Sequence, residues 1–135
     1  MLFTVDPQSD VPVYRQLMDQ VRYAIAGGKL KPGDELPSTR ALSSELEVNP
    51  MTISKAYSYL ERDGILERRP GRPLVVRALD EGQLYIRQAD LLRESLAPIV
   101  PVVRQLGLGK EEALRVFGEM LEEMLTEAGS EEGRQ

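Results

Sequence analysis

The chain has 135 residues, is 41% hydrophobic and carries a formal net charge of −5, which suits one typical domain or two small units sharing a core. It contains no Cys, His or Trp, so disulfides, thiolate chemistry and the commonest general base and metal ligand are all excluded. The charge is uneven: residues 1–77 hold 11 Lys/Arg against 10 Asp/Glu, and residues 78–135 hold 6 against 12. A nucleic-acid surface needs a local basic footprint rather than a basic chain, so the first part keeps that possibility open.

The opening MLFTVDPQSD has no basic region followed by an apolar one and does not read as a signal peptide. No apolar run approaches the length that spans a bilayer, so a cytoplasmic protein with no membrane partner is expected. Residues 1–11 read as a leader, with Asp6-Pro7 and Ser9-Asp10 as turn material. Pro12–Gly28 predicts a first helix, with Pro12 at its first position. Tyr14, Leu17, Met18, Val21 and Ile25 form its apolar stripe. Lys29–Pro37 is a connection built on the Pro32-Gly33 turn, and Asp34–Leu36 is a candidate for a very short strand.

Ser38–Glu47 predicts a short second helix, N-capped by Ser38. Ala41, Leu42 and Leu46 are expected to point inward, with Leu36 ahead of them. Arg40, in the first turn, opposes the helix dipole. It also stands beside exposed N-terminal amides, where a guanidinium and the amides attract the same anion. After a turn of about three residues comes a third helix, N-capped by Asn49 with Pro50 in its first turn. Two short helices joined this way make a helix-turn-helix.

Ile53, Ala56, Tyr57 and Leu60 mark the buried face of that third helix, and Gly64 closes it as a left-handed cap with Ile65 packing back beneath. Its open face carries Met51, Thr52, Ser54, Lys55, Ser58 and Arg62, a surface suited to a DNA groove. The runs Ile65–Arg69 and Leu74–Arg77 flank Pro70-Gly71-Arg72-Pro73 and predict a β-hairpin. Its tip clusters Arg68, Arg69 and Arg72 around Gly71, which permits a close backbone approach to a ligand.

Leu84–Leu106 predicts a helix with Tyr85, Ala89, Leu92, Leu96, Ile99 and Val103 on one stripe. Pro98 and Pro101 each cost about 3 kcal/mol inside a helix, so a kink or break is expected near Ala97–Pro101. Lys110–Ala128 predicts a final helix with Leu114, Phe117, Leu121, Met124 and Leu125 inward. Residues 129–135 are expected to form a polar, flexible tail. Units this small usually need a partner to bury such stripes, and the simplest partner is a second copy. A two-fold dimer would set two reading helices about 34 Å apart, or a multiple of that, on a palindromic site.

Residues 12–77 resemble the DNA-binding domain of the GntR family of bacterial transcription regulators. The resemblance is carried by Val13-Tyr14, Gly28–Asp34, Leu36–Arg40, Val48–Ile53 with Ala56-Tyr57, and Leu60–Leu66. The short remainder is similar to the YtrA subfamily, which hints at a transporter operon. The expected fold is therefore mainly α. A winged helix-turn-helix over 12–78, with three helices and a small hairpin wing, precedes a short two-helix dimerisation segment over 79–128.

The resemblance places phosphate or base contact on Arg40, the early hydroxyl of the recognition helix on Thr52, and the wing glycine and its basic neighbour on Gly71 and Arg72. Together with the open helix face, the expected DNA-binding set is Ser38, Thr39, Arg40, Asn49, Met51, Thr52, Ser54, Lys55, Arg69, Gly71 and Arg72. Two features depart from the family pattern. Pro50 and Ser54 stand where other branches carry arginines, and Gly71-Arg72-Pro73-Leu74 replaces the usual Gly-x-Gly-Thr wing.

The expected partners are double-stranded DNA, a second copy of the chain and a small-molecule effector at the dimer interface. No cofactor, metal ligand or catalytic residue is predicted. The alternative reading, prompted by the modest local charge, is a winged protein-interaction module that does not bind DNA.

Overall fold

The computed structural model describes residues 3–133. In chain order it runs α1 (Val13–Ala26), α2 (Thr39–Leu46), α3 (Pro50–Arg62), β1 (Leu66–Glu67), β2 (Val75–Val76), α4 (Glu81–Leu96), α5 (Val100–Gln105) and α6 (Lys110–Gly133). It divides into two compact units, the boundary falling after Leu91.

The first unit is a winged helix-turn-helix around one core. Leu17, Val21 and Ile25 of α1 meet Leu42 of α2, Ile53, Ala56 and Leu60 of α3, and Leu66 and Val76 of the hairpin. Side chains of this kind contribute about 1.5–3 kcal/mol each when fully buried. The α1 stripe is the expected one, with Tyr14 and Met18 packed at its margin. Pro12 stands one place earlier than expected, at the N-cap rather than inside the helix. Ala41, expected inward, is exposed; α2 has only eight residues and buries Leu42 alone.

The helix ends follow local chemistry. Ser38 accepts from the Ala41 N–H at 3.0 Å, and Asn49 Oδ1 accepts from the Met51 N–H at 2.8 Å. Glu47 ends α2 with φ 56°, the one positive value on a non-glycine residue among those described. Gly64 follows α3 at φ 74°, and the Ile65 N–H returns to the Leu60 carbonyl at 2.9 Å, closing the helix as expected.

β1 and β2 pair antiparallel, Leu66 with Val76 and Glu67 with Val75. The expected short strand is present as a bridge from Glu35 to Val75. Around it, Gly33 N–H donates to Val76 O at 2.8 Å, Val76 N–H to Asp34 O at 2.9 Å, and Leu36 N–H to Leu74 O at 2.8 Å. The root of the wing is thus stitched to the α1–α2 connection.

The stretch read as a leader is bound to α1. Phe3 is 2% exposed within the core. Gln20 receives the Thr4 N–H at 3.0 Å and donates to the Thr4 carbonyl. Gln16 receives the Asp6 N–H at 2.8 Å and donates to the Asp6 and Val11 carbonyls at 2.9 and 2.8 Å. At the other end of this unit, Leu91 of α4 is buried. Gln88 donates to the Ala26 carbonyl at 3.0 Å and Arg87 to the Asp63 carbonyl at 3.3 Å, so α4 side chains satisfy the carbonyl ends of α1 and α3.

In the second unit, the helix breaks between Leu96 and Val100, where Pro98 and Pro101 predict it. Of the stripe expected over 84–106, which begins in the first unit, Tyr85, Leu92 and Ile99 are exposed, whereas Ala89, Leu96 and Val103 are half-buried. The five residues of α6 expected inward, Leu114, Phe117, Leu121, Met124 and Leu125, are also exposed. The helix read as ending at Ala128 continues to Gly133; residues 134–135 of the expected tail lie outside the described residues. No helix is long and apolar enough to cross a membrane among the described residues.

Candidate nucleic-acid interface

α3 presents two faces. Ile53, Ala56, Tyr57 and Leu60 are buried, which turns Met51, Ser54, Lys55, Ser58 and Arg62 to solvent and leaves Thr52 half-buried. This separation follows from the helical period. Tyr57 adds a polar tether on the buried side, where its hydroxyl donates to the Pro37 carbonyl at 2.8 Å. Burial pushes this phenol well above its ordinary pKa, so it stays a neutral donor.

Beside α3 lies an open groove of about 320 Å³, walled by the start of α2, the outer face of α3 and the wing. Ser38, Thr39, Ser54, Ser58, Arg68 and Arg72 bring hydroxyl and guanidinium groups to it. Four of the expected DNA-binding residues, Ser38, Thr39, Ser54 and Arg72, are therefore gathered in one place. Hydroxyls, guanidinium groups and the amide end of a helix together suit the phosphates of a nucleic-acid backbone.

The other expected residues do not line the groove. Arg40 is exposed in the first turn of α2, and Thr52 stands half-buried near the start of α3. The Asn49 side chain is already engaged as a helix cap. Met51 is exposed at the start of α3. The Lys55 ammonium lies 4.0 Å from the centroid of the Tyr14 ring, a cation–π contact. Gly71 turns the wing tip at φ 68°, and beyond its own chain neighbours no atom lies within 4 Å of where a Cβ would sit.

The arginine cluster at the tip is less free than the sequence suggests. Arg69 pairs with Glu67 at 3.8 Å, and Arg68 with Glu61 of α3 at 3.4 Å. Arg40 and Arg72 have no carboxylate partner among the described residues. Ser58 and Arg68 line the groove but were outside the expected set. Ser58 follows Ser54 by one helical turn, so the period alone could have added it; the place of Arg68 depends on the fold of the hairpin. No group of three His, Cys, Asp or Glu is placed to hold a metal among the described residues.

The chain is similar in sequence and fold to known regulators. The family model described as "Bacterial regulatory proteins, gntR family" matches residues 13–76. The uncharacterized HTH-type transcriptional regulator YhcF of Bacillus subtilis is 40% identical over 108 residues, covering 79% of this chain and 88% of its own. The HTH-type transcriptional repressor YtrA of the same organism is 35% identical over 99 residues, covering 73% and 76%. A GntR family transcriptional regulator from Listeria monocytogenes superposes with a TM-score of 0.72 at 27% identity, over 85% of this chain and 98% of its own. YtrA from Sulfolobus acidocaldarius, a GntR-family transcription factor, does so at 0.55 with 37% identity, over 72% and 99%.

Proposed function

Because the chain belongs to the GntR family of bacterial regulatory proteins, and is thus a helix-turn-helix DNA-binding transcription regulator, we propose that it acts as a homodimeric repressor on a palindromic operator upstream of its own gene. Its relatives are regulators rather than enzymes. The observation that carries the proposal is the single groove where Ser38 and Thr39, Ser54 and Arg72 converge from α2, α3 and the wing.

In this reading the N-terminal half of α3 enters the major groove, with Met51, Thr52, Ser54 and Lys55 nearest the bases. Ser38, Thr39 and Arg40 clamp a phosphate at the start of α2, and Asn49 holds the turn between the two helices. Gly71, Arg72 and Arg69 bring the wing to the backbone. Repression is supported by the name of YtrA, and transporter genes are the targets that the likeness to its subfamily implies. Action on chromosomal DNA sets the protein in the cytoplasm.

Two copies are proposed because α6 leaves Leu114, Phe117, Leu121 and Met124 open to water, and water-exposed stripes of this kind mark association surfaces. An effector is proposed for the second unit. An open, mainly apolar recess of about 580 Å³ lies between α5 and α6 around Gly107-Leu108-Gly109.

The test is binding to the duplex upstream of the gene, followed by fluorescence anisotropy across a salt series. The expected result is a shift at low micromolar protein or below, with affinity falling steeply as salt rises. Absence of any salt-sensitive binding to that duplex would reject the proposal.

A further inference from the structure

Met51 is the second residue of α3, directly after Pro50. Its backbone is held by the Asn49 cap at 2.8 Å. The residue is 75% exposed, more than any other large hydrophobic among the described residues. A thioether has no charge and no hydrogen to donate, so it cannot hold a phosphate or read a carbonyl edge. The side chains one turn on along the same face, Ser54 and Lys55, are polar, and the Lys55 ammonium rests on the Tyr14 ring of α1. An exposed apolar group is thus set at the leading end of the helix, ahead of polar side chains on the same face.

Base edges in the major groove offer one apolar group, the C5-methyl of thymine. We infer that Met51 packs on a thymine methyl and selects thymine over cytosine at one position of each operator half-site. The inference rests on α3 being the helix that enters the groove. It adds what the hydroxyls and lysine of that helix do not supply, a way to sense a methyl group.

The test uses the full chain. Duplexes are selected from a random-sequence pool, and the consensus is resynthesised with each thymine replaced in turn by uracil, which lacks only the methyl. One thymine per half-site should bind about fourfold more weakly as uracil, the scale of burying a single methyl group. Met51→Ala should bind thymine and uracil duplexes alike, and Met51→Leu should keep the difference. Uracil tolerated at every position, or the same uracil penalty in Met51→Ala, would overturn the role of Met51. Failure to retain any duplex would instead overturn the reading of DNA itself, and the inference with it.

Discussion

The Tyr57 hydroxyl donates to the Pro37 carbonyl at 2.8 Å, tying the middle of α3 to the residue just ahead of the Ser38 cap. Tyr57→Phe removes this bond and should cost about 1 kcal/mol in chemical denaturation. Burial raises the Tyr57 phenol above its ordinary value of 10.0, so the folded chain keeps a proton that the unfolded chain releases in alkali. Its stabilising effect is therefore complete below pH 10 and is lost as pH climbs beyond it. Denaturation midpoints above that pH should fall more steeply for wild type than for Tyr57→Phe; equal slopes would contradict this account.

Arg40 and Arg72 lack carboxylate partners among the described residues, whereas Arg69 is paired with Glu67 at 3.8 Å. Arg40→Ala and Arg72→Ala should each reduce the dependence of log affinity on log salt by about one unit. Arg69→Ala should reduce it less, because its guanidinium is already engaged by Glu67. Melting curves should stay within about 0.5 kcal/mol of wild type, as for other surface changes. An Arg69→Ala variant that loses more than the other two would show that the ion pair opens on DNA.

Glu47 holds φ 56° at the end of α2, a conformation that costs a non-glycine residue about 1 kcal/mol or more. Glu47→Gly relieves that strain and adds some unfolded-chain entropy. The expected net gain is about 0.5–1 kcal/mol in the denaturant midpoint. A loss of stability would mean that the Glu47 side chain makes a contact worth more than the strain.

Leu121 lies on the exposed apolar stripe of α6, so Leu121→Glu should separate the proposed dimer in sedimentation velocity. Operator affinity should fall by about two orders of magnitude as the second half-site is lost. The first unit should keep its thermal transition. A variant that stays dimeric would move the interface off α6.

Much of the candidate interface could be read locally. Asn49, Pro50 and the spacing of Ile53, Ala56, Tyr57 and Leu60 define α3 without help from the rest of the chain, because caps and a helical period act within a few residues. The break after Leu96 follows in the same way from Pro98 and Pro101. What was hidden depends on non-local partners. Phe3 stands in a short apolar run with no helical period, and its burial goes with the bonds by which Gln16 and Gln20 hold Thr4 and Asp6 against α1. Apolar positions in α4 allow more than one stripe, and packing within the first unit buries Leu91 while Leu92 stays exposed. The pairing of Arg68 with Glu61 could not be seen until the hairpin had folded back onto α3.

The wing is clamped at its root and open at its tip. Val76 exchanges hydrogen bonds with Gly33 and Asp34, and Leu74 receives one from Leu36, whereas Arg69–Pro73 is exposed. The finger can therefore be lengthened without rebuilding the hand: residues inserted within Pro70–Pro73 would extend the tip and leave the anchoring strand in register. A single residue inserted between Leu74 and Val76 would shift these buried side chains out of register with the Gly33–Leu36 bonds and disrupt the core.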